Sequence, residues 1–184
     1  MEDTQIIGLF WARDPEAIPA ASEKYGDYCA AIARNILRDR EDEEECLNDT
    51  WLHAWNAMPP HRPQVLRTFL GRLTRNLSLN RLAQRNAQKR GGGDSVREEL
   101  SELVSGREEP VDEVLSRELA ATIDGFLSTL SREQRSLFLR RYWYYDSVTE
   151  LAKRFGMSPN RVSVTLRRLR AKLKAELTER GYDL

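Results

Sequence analysis

The sequence has few of the residues from which active sites, metal centres and disulfide frameworks are built. Its 184 residues include only two histidines and two cysteines. No nucleophile stands beside a base, and no cluster has the spacing of metal ligands. The glycines at 91–93 lack the Lys-Ser/Thr that follows in a phosphate-binding loop. We therefore expect no catalytic residue, no metal and no cofactor, and we expect Cys29 and Cys46 to be buried free thiols.

Long apolar runs are also missing. No stretch approaches the roughly 20 apolar residues that a membrane-spanning helix needs. The chain opens with the acidic pair Glu2 and Asp3, and the apolar residues 6–12 are too few for the core of a signal peptide. We therefore expect no membrane insertion and a cytoplasmic protein.

Helix formers dominate what remains. The chain has only 7 prolines and 10 glycines, and Leu, Ala, Arg and Glu are the common residues. No alternating pattern typical of strands has a convincing length. The sequence therefore predicts an all-α protein, and its length allows one medium domain or two small ones.

The formal net charge is zero, but the charges are sorted into blocks. Residues 62–90 and 153–174 contain no acid, whereas 39–45 and 94–118 are rich in acids. Cationic and anionic surfaces of this kind indicate different partners for different faces.

Apolar spacing divides the chain into two helical domains. In the first, residues 1–90, an apolar stripe runs through 25–36, a helix with an acidic start ends before Pro59 and Pro60, and another helix carries 66–82. Residues 91–113 form a glycine-containing, acidic linker that we expect to be flexible; whether 96–104 forms a short helix stays open. The second domain, 114–184, begins with a helix and then a capping box at 131–134.

Residues 146–177 have the pattern of a helix-turn-helix. A capping box at 147–150 opens the first helix, and Gly156 stands where a left-handed residue is needed to end it. Ser158 and Pro159 suit the cap and first position of a second helix. An apolar stripe from Val162 to Leu177 leaves the opposite face for DNA. The alternative is an amphipathic hairpin with a solvated basic face.

The exposed face of this second helix predicts two kinds of DNA contact. The residues suited to base edges or a thymine methyl group are Asn160, Ser163, Val164 and Arg167. The residues suited to phosphates are Arg161, Arg168, Arg170 and Lys172. Ser158, at the start of the helix, completes the predicted DNA-binding set.

Three segments together resemble the sigma-70 family of RNA polymerase sigma factors. Residues 130–158, with Leu-Ser-Arg-Glu-Gln-Arg at the start and Glu-Leu-Ala-Lys-Arg-Phe-Gly-Met-Ser at the end, resemble region 4. Residues 41–55, Glu-Asp-Glu-Glu-Glu-Cys-Leu-Asn-Asp-Thr-Trp-Leu-His-Ala-Trp, resemble region 2.2, and residues 68–82 resemble regions 2.3 and 2.4. The order, with a short linker and no region 3, is that of extracytoplasmic-function (ECF) sigma factors.

The resemblance implies that the chain binds core RNA polymerase and is not an enzyme itself. The helix of region 2.2 docks on the clamp coiled coil of the largest subunit in this family, and the flap is a further contact. The matching positions here are Glu45, Asn48, Asp49, Leu52 and Trp55. Asn48 and Asp49 replace the commoner Gln and Glu. We expect Trp51 to pack in the core instead.

The resemblance also implies recognition of the two promoter elements, −35 by the second domain and −10 by the first. The loop at 59–64 matches the loop that captures an unpaired base, and arginines beside it suit a single strand. The positions implied for the −10 element are His61, Arg62, Arg72, Arg75, Asn76, Asn80, Arg81 and Arg85. Of these, Arg72, Arg75, Arg81 and Arg85 are the phosphate candidates. Asn80 stands where Asp is frequent in the family.

Two other functions stay open from the residues alone. A free-standing helix-turn-helix repressor would bind a palindromic duplex without polymerase. An adaptor that binds only proteins would leave both acid-free stretches unexplained. A cognate anti-sigma factor is a common partner in the family, but nothing in this sequence identifies one.

Overall fold

The computed structural model describes residues 1–88, 96, 99–100 and 113–181. These residues form helices and connecting turns, with no strand among them, which confirms the predicted all-α class. The chain divides into two compact units, Met1–Gly92 and Gly93–Leu184. Most of the predicted linker lies outside the described residues. Its described positions, Val96, Glu99, Leu100 and Glu113, are helical and fall within the second unit.

Four helices build the first unit. They are α1 (Asp3–Trp11), α2 (Ala17–Leu37), α3 (Arg40–Ala57) and α4 (Leu66–Gln88). Helices α2, α3 and α4 pack on one another, and α1 packs on α2. The core between them includes Phe10, Cys29, Trp51 and Leu70, all buried. The prediction that Trp51 is a core residue is therefore confirmed.

Local chemistry sets the start and end of α3. Asp39 caps the helix, since its Oδ1 accepts a hydrogen bond from the Asp42 amide at 3.0 Å. The acids of the first turn complement the positive end of the helix dipole, as predicted. Helix α3 ends at Ala57, just before Met58 and the prolines that cannot continue a helix.

Small and polar side chains bring α4 close to its neighbours. A Cβ built on Gly71 would lie 2.5 Å from the Tyr28 hydroxyl oxygen, so α2 and α4 approach closely only because residue 71 is glycine. Between α3 and α4, the Cys46 Sγ and Ser78 Oγ atoms lie 3.2 Å apart, and Thr50 Oγ1 donates to Thr74 Oγ1 at 3.3 Å. These contacts fix the register of the two helices.

Four helices with described bounds build the second unit. They are α5 (Glu113–Thr129), α6 (Arg132–Tyr142), α7 (Val148–Phe155) and α8 (Pro159–Glu179). Phe126 and Phe138 pack edge to face in its core, with ring centroids 5.7 Å apart. Helix α8 contacts the other three helices. It therefore holds the unit together while one of its faces stays exposed.

The helix ends of the second unit follow the predicted signals. Ser131 and Gln134 form a capping box, and so do Ser147 and Glu150. Gly156 ends α7 in the left-handed conformation, with φ at +62°. A helix, a turn and a second helix thus occupy the segment for which the sequence predicts a helix-turn-helix.

Candidate nucleic-acid and polymerase interfaces

Five residues of α3 were predicted to bind polymerase, and their spacing places them on one side of the helix, with Trp55 at its margin. Glu45, Asn48 and Leu52 are exposed, and Leu52 is 54% exposed although it is apolar. Asp49 is half-buried. A single exposed leucine is common on protein surfaces, so Leu52 does not mark a binding surface by itself. The arrangement is compatible with a docking face.

The side chain of Trp55 packs within the first unit, through its aromatic ring. The ring meets Phe10 edge to face, with centroids 6.3 Å apart, and the Arg13 guanidinium lies over it at 5.3 Å. Arg13 also donates to the Trp55 carbonyl at 2.6 Å. Substitution of Trp55 would therefore disturb the fold as well as any interface.

Arg81 connects the acidic face of α3 to α4. Its Nη2 lies 3.1 Å from Asp49 Oδ2, and its Nη1 lies 3.4 Å from Asp42 Oδ1 and contacts Glu45 Oε2. The hydrogen bond with Glu45 is the largest of the effects that raise the pKa of Arg81 above its usual value. Two acids predicted to bind polymerase are thus paired with an arginine predicted to bind phosphate.

Arg85 has intramolecular partners as well. Its Nη1 lies 3.1 Å from Asp42 Oδ2, and its Nη2 donates to the Leu37 carbonyl at 3.1 Å. Sequence reasoning missed these contacts because the partners lie 43 and 48 residues apart along the chain. As phosphate ligands, Arg81 and Arg85 would have to exchange their carboxylate partners for DNA, so their predicted role now competes with an observed one.

The predicted base-capturing loop borders an open pocket of about 490 Å³. The His61 ring stacks on Phe69 with centroids 5.1 Å apart and the planes inclined by 28°. The lining residues come from the loop and the first turns of α4: His61, Arg62, Pro63, Gln64, Val65, Thr68, Phe69 and Arg72. Three predicted residues of the −10 set, His61, Arg62 and Arg72, therefore meet at one pocket.

Sequence reasoning did not single out Trp11, at the end of α1. Trp11 is 40% exposed, and the Arg62 guanidinium lies over its ring at 5.6 Å. The contact links α1 to the loop across 51 residues of chain, so no local pattern could have predicted it.

Farther along α4, Asn76 and Asn80 are exposed and Arg75 is half-buried. Arg72, Asn76 and Asn80 recur every four residues and thus share one side of α4.

The exposed side of α8 carries the residues predicted to contact the −35 element. Asn160, Arg161, Ser163, Arg167 and Arg168 are exposed, and Val164 is half-buried. No ion pair joins the three arginines to any residue that the structure describes. Ser158 is exposed and caps the helix, because its Oγ accepts from the Arg161 amide at 3.2 Å.

Two other basic residues of α8 have partners within the second unit, and one of them departs from its predicted role. The prediction that Arg170 faces phosphates was wrong: it is buried, and its Nη1 lies 3.0 Å from Glu99 Oε2. Lys172 donates to Thr129 Oγ1 at 3.3 Å and lies over the Phe126 ring, so it packs against α5. Of these two residues, Arg170 is therefore not available to a DNA phosphate while it pairs with Glu99.

Comparison with known proteins decides the family. The sequence profile of ECF sigma factors matches residues 62–179, and that of sigma-70 region 2 matches residues 22–88. The chain belongs to the ECF sigma factor family. The first profile covers most of the chain, including the pocket-lining residues of α4 and the whole of α8, and the second covers the acidic face of α3. Both predicted interfaces of this ECF chain thus fall within segments that match sigma factor profiles.

Relatives with curated names are also sigma factors. A probable RNA polymerase sigma factor RfaY of Xanthomonas campestris pv. campestris is 24% identical over 90% of this chain and 43% of the relative. The RNA polymerase sigma-E factor of Streptomyces coelicolor is 35% identical over 41% of this chain and 44% of the relative. This ECF chain therefore matches less than half the length of these curated relatives.

A solved structure, CnrH in complex with the cytosolic domain of CnrY, aligns with 96% of this ECF chain and 97% of its own. The TM-score is 0.45 and the sequence identity is 21%.

Within the described ranges of the ECF chain, no helix has the length and apolar character to cross a membrane. No three metal-ligating side chains cluster in those ranges either.

Proposed function

We propose that this chain is an alternative sigma factor that binds core RNA polymerase, directs it to promoters and assists their opening. Membership of the ECF family carries the proposal. Two exposed surfaces, one on each unit, support it: a polar face that includes Leu52 on α3, and a basic face without acidic partners among the described residues on α8. The catalysis of RNA synthesis stays with the polymerase.

The first unit serves two partners in this proposal. The side of α3 around Asn48 and Leu52 docks on the clamp coiled coil of the largest polymerase subunit. The pocket beside His61 receives an unpaired base of the −10 element. The stacked rings of His61 and Phe69 suit this task, and Arg72 lines the same pocket. A base can stack on a ring while a guanidinium binds the adjoining phosphate.

The second unit binds duplex DNA at the −35 element. The start of α8 is its recognition end, where Asn160 and Arg167 supply donors for base edges. Arg161 and Arg168 supply phosphate contacts, which set affinity and register. A second polymerase contact at the flap and a cognate anti-sigma factor complete the proposed set of partners.

Co-elution with purified core RNA polymerase tests the first step. The chain is expected to co-elute, and Asn48→Arg is expected to abolish co-elution because it places a charge at the centre of the docking face. Ala31→Arg is the matched control, since it adds the same charge at an exposed position of α2. These substitutions avoid Asp49 and Trp55, which have partners within the fold.

Two outcomes would contradict the proposal. If the wild-type chain does not bind polymerase but binds duplex DNA alone, the repressor function takes its place. If Ala31→Arg abolishes co-elution as completely as Asn48→Arg, the docking face on α3 is refuted.

A further inference from the structure

Glu99, a residue of the sequence-predicted linker, is bound by three side chains of the second unit. Its Oε1 accepts from Arg141 Nη2 at 2.6 Å, and its Oε2 accepts from the Tyr142 hydroxyl at 2.8 Å and from Arg170 Nη1 at 3.0 Å. Val96, one helical turn earlier, is only 2% exposed. An apolar and a charged anchor on the same side of this segment thus attach it to the second unit.

The three side chains that donate hydrogen bonds to Glu99 are largely buried. Arg141 is 3% exposed, and Tyr142 and Arg170 are also buried. Arg170 Nη1 donates to the Tyr142 hydroxyl at 2.8 Å, so the three groups form one connected site. A buried cation that loses its acid partner is strongly destabilising. Both guanidinium groups pair with the carboxylate of Glu99, so its negative charge offsets part of the positive charge of this buried site.

The carboxyl of Glu99 is held in the charged form that this site needs. Burial alone would raise its pKa, but hydrogen bonds from Arg141 and Tyr142 and the charges of both arginines outweigh burial. The net effect is a pKa below the usual value for a glutamate. A charged, hydrogen-bonded carboxylate is consistent with the short distances.

We propose that Arg141, Tyr142 and Arg170 form a carboxylate-binding site whose ligand is the chain's own Glu99, and that this contact acts as a latch on the connection between the units. With Glu99 seated, eight residue steps join Gln88 to Val96, and they span at most about 29 Å. With both Glu99 and Val96 released, 25 steps join Gln88 to Glu113, and a chain of this length spans at most about 90 Å.

The latch thus limits the length of chain that is available between the two units. Its consequence for promoters rests on the proposed function, since a chain that binds two DNA elements at once needs a connection of sufficient length. Release of Glu99 would lengthen the connection without changing either DNA-binding face. The latch itself is a property of the free chain and does not depend on that function.

Hydrogen exchange of the full-length chain tests the contact directly. The amides of Val96, Glu99 and Leu100 are expected to be protected in the wild type. Glu99→Gln, which keeps the shape but removes the charge, should raise their exchange rate about tenfold or more. Glu118→Gln is the matched control because it removes the same charge at an exposed position of α5. It should leave the exchange rate unchanged.

A second, milder variant distinguishes loss of the Glu99 contact from unfolding of the second unit. Tyr142→Phe removes one donor to Glu99 and keeps the aromatic ring, so it should raise the same exchange rate by a smaller factor while near-UV circular dichroism shows an intact unit. Equal exchange of the Val96, Glu99 and Leu100 amides in the wild type and in both variants would overturn the latch. Unprotected amides in the wild type would do the same.

Distance measurements test the lengthened connection. Spin labels at Gln84 and Ala120, both exposed, report the separation of the units in the free chain. Glu99→Gln should broaden the distance distribution toward longer values, whereas Glu118→Gln should not. An unchanged distribution would contradict the proposed control of chain length. Neither measurement includes polymerase or DNA, so its failure is distinct from a failure to co-elute with polymerase.

Discussion

The guanidinium of Arg81 and the carboxylate of Asp49 lie 3.1 Å apart, although 32 residues separate them in the chain. Arg81 also pairs with Asp42 and Glu45, so one cation on α4 neutralises part of the acidic face of α3. The same contact joins a residue predicted to bind DNA to a residue predicted to bind polymerase. The two surfaces of the first unit are therefore physically connected.

Arg81→Gln should destabilise the first unit by about 1 kcal/mol. Partly exposed ion pairs contribute only a few tenths of a kcal/mol each, and three of them are lost. Because salt screens such pairs, the difference from the wild type should shrink at high ionic strength. Urea unfolding at low and high salt measures it. Arg72→Gln is the control, and an equal loss in this variant would show that the Arg81 pairs contribute nothing specific.

Gly71→Ala should also destabilise the first unit, by about 1–3 kcal/mol. The added methyl group would lie 2.5 Å from the Tyr28 hydroxyl oxygen and 2.9 Å from its Cε1, so the ring must move. Gly8→Ala is the matched control, since nothing lies within 4 Å of its added Cβ. Alanine there should be neutral or stabilising because it favours helix. Thermal unfolding of both variants measures the two effects. If Gly71→Ala is as stable as the wild type, the close approach of α2 and α4 does not require glycine at position 71.

His61→Ala should weaken the binding of a polymerase complex to a fork template with an unpaired base. The loss expected for one stacking partner is about 1–3 kcal/mol. His53→Ala is the control, because His53 is the chain's other histidine and is exposed on α3. Fluorescence anisotropy with the fork and with a fully paired duplex separates the effects. An equal loss on both templates would argue against base capture in this pocket.

Arg161→Gln should lower affinity for duplex DNA of any sequence and reduce the salt dependence of binding by about one ion. Asn160→Ala should instead relax the preference at one base pair, because an amide reads a base edge. A salt titration with two duplex sequences measures both quantities. Arg180→Gln, at the far end of α8, should change neither. If Arg161→Gln leaves the salt slope unchanged, its guanidinium does not bind phosphate.

The first unit should lose stability as pH rises above about 9. Burial raises the pKa of the Cys29 and Cys46 thiols from 9.0, so the unfolded thiols ionise at a lower pH than the folded ones. The unfolded state therefore releases protons first, and alkaline pH favours it. Urea unfolding between about pH 8 and about pH 9.5 tests this expectation. Replacement of both cysteines by alanine should flatten the profile, and an unchanged slope would assign the effect to other groups.

Short-range patterns carried most of the fold prediction. The capping boxes at Ser131 and Ser147 and the left-handed Gly156 were all predicted and all occur. The stripe residues Cys29, Ile32 and Ile36 are buried as predicted, and both cysteines are free thiols. These features depend on residues within a few positions of each other. Local backbone chemistry determines them whatever the rest of the chain does.

The sequence by itself thus determined the helices, their caps and the sorting of charge into blocks. Only the tertiary structure decided which charged side chains are paired within the fold and which remain exposed to a partner. It paired Arg81 and Arg85 with the acids of α3, buried Arg170 against Glu99, and placed Trp11 beside Arg62. The physical reason is distance along the chain. An ion pair needs two side chains within about 4 Å, and only the packing of whole helices brings together residues that are 32 to 71 positions apart.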